Sequence, residues 1–150
     1  MRMSAGALGA IGSTYLKMID TRAAEVSLNS THSLNVWYPV IDIDGPCVIS
    51  HLMANVGMGG SMQIRVTFDD VEKTYSASNG GSNSRSSILV IDNGRLNTSY
   101  ATTDSPILNQ WFAKKKFKLE IKQTSIFGGT TYPNSSAYAK CALVELEGLE

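Results

Sequence analysis

The side chains that most often carry chemistry are scarce in this chain. Two histidines and two cysteines occur among its 150 residues, and none lies at metal-ligand spacing from another. His51 sits inside an apolar run and is expected to be a hydrogen-bonded core histidine, while His32, in "NSTHS", reads as a surface residue. Cys47, in "GPCVIS", and Cys141, in "AKCALV", have apolar neighbours and are expected to be buried free thiols, with a disulfide open to them if their strands adjoin. Catalysis needs a nucleophile with a base, two carboxylates with divided roles, or a metal. No motif assembles any of these, so no catalytic residue, cofactor or metal site is expected and the chain is read as a non-enzyme.

Charge is thin as well. Charged residues make up 17% of the chain, against roughly 25% in an average globular domain, so Ser, Thr, Asn and Gly must supply much of the polar surface. Thirteen basic and thirteen acidic side chains cancel. A protein that binds nucleic acid through its phosphates needs a basic excess, so no nucleic-acid partner is expected. A net charge of zero also weakens the electrostatic defence against self-association. Long apolar runs are missing, which argues against membrane insertion. The opening "MRMSAGALGAIGSTYLKM" is small and apolar, but Gly interrupts it and no cleavage pattern follows, so it does not read as a signal peptide. The chain is expected to hold an N-terminal arm over residues 1–14 and a single domain over 15–148, with Leu149 and Glu150 read as the scar of an expression tag.

What the chain does have is strand patterning. In "MQIRVTFDDVEKTY", Met62, Ile64, Val66 and Phe68 alternate with polar residues, as on a strand with one buried face. If Asp69 and Asp70 are the two loop residues of a tight hairpin, Phe68 faces Val71, Val66 faces Lys73, Ile64 faces Tyr75 and Met62 faces Ala77. The opposite face then sets Arg65 diagonal to Glu72, and Lys73 must snorkel out of an otherwise apolar row. Turn chemistry explains the two aspartates better than a metal would, because Asp tolerates positive φ and hydrogen-bonds its own backbone.

The same grammar recurs. "PCVISHLMANVG", 46–57, is apolar on both parities and reads as a central strand covered on both faces. "SSILVIDNG", 86–94, is a strand running into a turn. "KKFKLEIKQTS" points Phe117, Leu119 and Ile121 inward and Lys116, Lys118, Glu120 and Lys122 outward, the lysine-rich pattern of a solvent-exposed or edge strand. "SLNVWYPVIDID" is an early strand whose Pro39 requires an edge or a bulge, and "SAYAKCALVELEG" is a last one. Polar loops are expected over 77–87 and 127–136. Only "SPILNQWFAKKK", 105–116, has a helix cap and a one-sided apolar stripe. Roughly six to ten short strands with at most one short helix define an all-β fold, an antiparallel β-sandwich of jelly-roll type.

The remaining motifs have plain explanations. "DID" at 42–44 opens like a calcium loop, but Pro46, Cys47 and Val48 cannot supply the later oxygen ligands. "GMGGS" at 57–61 lacks the Lys of a phosphate-binding loop and reads as a turn. Asn29, Asn97 and Asn134 head N-x-Ser/Thr triplets that matter only in a glycosylating pathway. Two functional classes remain: a structural or assembly protein, and a carbohydrate-binding module. In the second, Tyr132, Tyr100, Trp37 and Tyr38 are the candidates for stacking on sugar rings or contacting a partner.

The array "ISHLMANVG", "MQIRVTFDDVEKTY", "SILVIDNG" and "FKLEIKQTS", covering about residues 47–125, resembles the β-sandwich accessory domains of tailed-bacteriophage virions, found in tail-fibre and head-fibre proteins. It departs from them in placing Asp70 where such hairpins usually have Gly. The resemblance implies a virion structural role with other virion proteins and copies of itself as partners, often as a trimer and sometimes facing a host-surface glycan. It carries over no catalytic residue. The zero net charge and an opening segment too Gly-rich to build a core alone add the expectation of a homo-oligomer in which residues before Tyr15 pack on another subunit or a partner protein.

Overall fold

The computed structural model describes residues 15–57, 60–78, 86–92, 95–96, 112–126 and 135–147. Ten strands run in the order β1 (Tyr15–Leu28), β2 (Tyr38–Asp44), β3 (Cys47–Val56), β4 (Ser61–Phe68), β5 (Val71–Ser78), β6 (Ser86–Asp92), β7 (Arg95–Leu96), β8 (Phe112–Ala113), β9 (Lys116–Ser125) and β10 (Ser135–Glu147). One sheet has the order β1-β10-β3-β6-β7, with β8 also pairing β3, and the other has the order β2-β9-β4-β5. All the pairings are antiparallel. Setting aside the two-residue β7 and β8, the pairs β1·β10, β2·β9, β3·β6 and β4·β5 are those of one long folded-over hairpin. The contacts β10·β3 and β9·β4 are those made when that hairpin is rolled up. This is the jelly roll.

The core lies between the sheets. Cys47, Ile49, Leu52, Ala54 and Val56 of β3, and Ala137, Ala139 and Cys141 of β10, meet Met62, Ile64, Val66 and Phe68 of β4 and Phe117, Leu119 and Ile121 of β9. Phe68 and Phe117 anchor its lower end with ring centroids 5.3 Å apart. The 62–77 hairpin has the expected register at every position, from Phe68 opposite Val71 to Met62 opposite Ala77. Asp69 holds the positive φ, 55°, that its turn requires. Val71, placed on the apolar row, is nevertheless 48% exposed, because β5 is an edge strand and only Tyr75 on it is buried.

Pro39 lies on an edge strand and beside a bulge, since the β2–β9 register shifts between Pro39 and Ile41. The reading of β3 needs correction. It is central in its sheet, but only one face is buried, and Met53 on the other is 40% exposed. Apolar residues occupy both parities because Ser50 is an extra residue: Ile49 faces Cys141 and His51 faces Lys140. The bulge resets the alternation, so that Cys47 and Ile49 before it share the core face with Leu52, Ala54 and Val56 after it.

β9 is likewise not an edge strand but sits between β2 and β4. Its lysines face outward because this sheet also has a solvent-facing side. The helix expected over 105–116 fails where it can be compared: Phe112–Ala113 is a strand paired with Val48 and Cys47, and Lys116 begins β9. Pairing with the lower end of β3 overrides the helical stripe there, and 105–111 lie outside the described residues. The polar loops are shorter than expected, since Ala77–Ser78, Ser86–Ser87 and Ser135–Ser136 belong to strands. β1 went unrecognised in the sequence. It is an edge strand with a register shift between Met18 and Asp20; its side chains are exposed from Lys17 to Ala23, and only Ala24, Val26 and Leu28 alternate toward the core.

Candidate functional site

Segment 29–37, which links the two sheets, is built from its own polar side chains. The Asn29 carboxamide oxygen accepts the Thr31 N–H at 2.9 Å and the Thr31 hydroxyl at 2.6 Å, an arrangement in which Asn shapes the turn that follows it. The His32 Nδ1 accepts the Asn29 N–H at 3.1 Å, and its ring meets Tyr38 edge-on at 5.4 Å. His32 is thus a half-buried structural residue and not a simple surface one. The Tyr38 hydroxyl accepts the Ser33 N–H at 3.1 Å. Beneath the segment, the fully buried Gln123 donates from Nε2 to the carbonyls of Asn29 and His32, at 2.8 and 3.1 Å.

Trp37, the last residue of the segment, lies against the outer side of the β2-β9-β4-β5 sheet. The Arg65 guanidinium carbon is 4.3 Å from the centroid of its ring and the Lys122 ammonium 4.5 Å, both within cation–π range. Arg65 also donates to Glu120 at 2.6 Å, and Lys118 reaches the other oxygen of that carboxylate at 3.1 Å. Glu120 is buried. Its carboxyl is held below the usual carboxylate range chiefly by the Arg65 hydrogen bond, against the opposing effect of burial, and the same bond raises Arg65. Lys116 bridges Asp42 and Asp44 at 2.7 and 2.9 Å. Lys116 and Lys118 are therefore paired within the sheet, and Lys122 lies over Trp37.

Beyond this charged area the same face becomes neutral. The Ser61 hydroxyl contacts those of Thr124 and Ser125 at 2.6 and 2.7 Å, and the Gln63 amide donates to Ser76 at 3.1 Å. Ser61, Gln63, Ser76 and Thr124, with Met62, Ala77 and Ser78, line a shallow open groove of about 220 Å³. It offers hydroxyl and amide hydrogen bonds and no ionisable side chain. No single sequence motif marks it, because its residues come from three strands.

Of the four aromatic candidates, the structure brings Trp37 and Tyr38 together, and both already serve the 29–37 segment and the sheet below it. Tyr132 and Tyr100 lie outside the described residues, as do the triplet at Asn97, the Asn134 that heads the third triplet, the 1–14 arm and the 149–150 pair. His51 is half-buried beside Ser50, whose hydroxyl is 3.0 Å from its Nδ1, and so stands on the outer face instead of in the core. Among the described residues, no three His, Cys, Asp or Glu side chains converge as a metal site would require. No helix among them is long and apolar enough to cross a membrane. No protein-family model, curated protein or solved structure matches the chain.

Proposed function

We propose that the chain is a non-enzymatic structural protein of a virus particle, of the kind that tailed phages attach to heads or tails, and that it assembles with copies of itself and other virion proteins. The observation that carries this reading is on β1. Among the described residues this strand is an edge of its sheet, and the adjacent Met18 and Ile19 at its bulge are 65% and 57% exposed. Large apolar side chains beside an open strand edge favour association with another protein surface. The neutral net charge works in the same direction. The jelly roll itself, common among capsid domains, fits a building-block role but does not select it, since lectins share it.

Light scattering at high micromolar concentration tests the reading. The expected mass is a multiple of the 16.2 kDa chain, falling to one chain in Met18→Asp and Ile19→Asp, whose exposed positions leave the core intact. A wild-type protein that remains at one chain's mass contradicts it.

The second reading, a carbohydrate-binding module, has the groove as its support, since hydroxyl and amide side chains without charge suit a neutral sugar. Binding on a glycan array that Gln63→Ala abolishes, with the oligomer mass unchanged, would favour it.

A further inference from the structure

We infer that Cys47 and Cys141 are an oxidisable pair that closes to a disulfide between β3 and β10 when a low-molecular-weight disulfide serves as the oxidant. Both are free thiols, exposed by 0% and 1%, and both belong to the core between the sheets. Their strands adjoin. Cys141 faces Ile49 and Cys47 faces Leu143, so the two cysteines are diagonal neighbours on the same side of the sheet. Each is the other's principal interaction partner.

Diagonal neighbours on antiparallel strands have Cα atoms roughly 7–8 Å apart, somewhat beyond the roughly 4.4–6.8 Å that a disulfide spans. Closure therefore needs a small displacement of one strand against the other. The fold supplies compliance at this point. The β3–β10 register shifts between Lys140 and Cys141, opposite the extra residue Ser50, and β1 has its own irregularity next to Asp20, two residues from the Arg22 that faces Cys141. Bulges interrupt the ladder and let a strand bend locally.

The geometry also assigns the order of events. The Cys47 thiol, followed by the charge of Arg22, which faces Cys141 across the ladder, favours the Cys141 thiolate against the effect of burial, while the Cys141 thiol and then burial push Cys47 up. The Cys141 thiolate attacks one sulfur of glutathione disulfide, forming a mixed disulfide and releasing one glutathione thiolate. The Cys47 thiol then loses its proton to solvent, and its sulfur displaces the second glutathione. One glutathione disulfide is consumed and two glutathione thiols are formed, so two electrons pass from the protein to the oxidant. Because both sulfurs are buried, the first step waits on fluctuations of the edge strand β1, which covers Cys141 from one side.

The test uses the full chain, folded, incubated with glutathione disulfide, quenched with acid and mapped by mass spectrometry. The expected result is the loss of two hydrogen atoms' mass, one cross-linked peptide containing both cysteines, and a rise of several degrees in the unfolding temperature that a reductant reverses. Cys47→Ala should instead accumulate a stable glutathione adduct on Cys141. Unmodified thiols after a day, a terminal glutathione adduct on the wild type, or a dimer linked through cysteine would each overturn the inference. If Cys47→Ala does not fold, the wild-type peptide map decides alone.

Discussion

The Asp69 carboxylate, in the turn between β4 and β5, accepts the backbone N–H of Lys115 at 2.6 Å across 46 residues of sequence. It also accepts the Lys116 N–H at 3.2 Å, while its own N–H donates to the Lys116 carbonyl at 2.7 Å. The Gly45 N–H donates to the Lys115 carbonyl at 2.7 Å, so three connections at the lower end of the jelly roll are tied through one bend. The residue that makes the hairpin turn is also the residue that positions β9.

Substitutions at Asp69 separate these two duties. Asp69→Asn keeps both the tolerance of positive φ and an oxygen acceptor, and should cost under about 1 kcal/mol. Asp69→Gly keeps only the φ and should cost about 1–2 kcal/mol, since two N–H groups lose their acceptor. Asp69→Ala loses both and should be the worst of the three, by about a further 1 kcal/mol. Urea unfolding gives the order directly, and equal losses in Gly and Ala would show that the φ of 55° carries no strain.

Gly45 tests the backbone alone. Its φ is 104°, and a Cβ built there would meet nothing within 4 Å. Gly45→Ala should therefore destabilise by about 1–2 kcal/mol through conformation and not through collision. If so, Gly45→Ser should cost a similar amount despite its larger side chain. A steep dependence on side-chain size in thermal unfolding would contradict the open space around this turn.

Stability should fall at both ends of the pH range, for separate reasons. The folded-state pKa of Glu120 lies below its unfolded value because Arg65 donates to it. Its contribution is complete above the ordinary carboxylate value near 4.5 and drains away as pH drops through the lower folded value. Glu120→Gln should flatten that acid limb while lowering stability at neutral pH. Tyr75 is pushed up to about 12 from 10.0 by burial, so its contribution is whole below pH 10 and is lost as pH rises toward 12. Tyr75→Phe should flatten the alkaline limb. Chemical denaturation of the wild type and both variants from pH 3 to 11 measures each slope.

Strands were legible where burial is one-sided and uninterrupted. The alternation from Met62 to Phe68 set both the face and the register of its hairpin, because a slip of one residue would have turned the whole apolar row outward. β3 was misjudged because Ser50 shifts the parity in mid-strand, which a reading by strict alternation cannot register. β1 was missed because an exposed edge strand has little apolar alternation to read. Outward lysines on β9 suggested a solvent-exposed or edge strand; the face is solvent-exposed but the strand is interior, and Asp42, Asp44 and Glu120 pair with Lys116 and Lys118, partners contributed from β2 and from β9 itself. The cation pair over Trp37 needs Arg65 and Lys122 from different strands beside a loop residue, a long-range convergence with no local signature.

Gln123 is the interior side chain on which the 29–37 segment most depends. It is fully buried in β9, its amide nitrogen holds the carbonyls of Asn29 and His32, and its backbone carbonyl accepts the Asn35 N–H at 2.9 Å. Its side-chain oxygen has no hydrogen-bond partner. Replacing it with Met keeps most of the volume, removes that orphaned oxygen, and leaves two carbonyls without their donor. The two effects oppose each other. Losing donors to buried acceptors costs about 1–3 kcal/mol, whereas removing an already unsatisfied atom recovers part of that. Gln123→Met should therefore destabilise the whole domain only mildly, by about 1 kcal/mol, while amide hydrogen exchange at Thr31, Ser33 and Asn35 rises at least tenfold. Gln123→Glu replaces the donating amide with an acceptor facing two carbonyls, and should lose both the segment and the global stability at neutral pH, with partial recovery in acid as the carboxyl protonates and can donate. Unchanged exchange in Gln123→Met would show that the Asn29, His32 and Tyr38 contacts hold the segment without it.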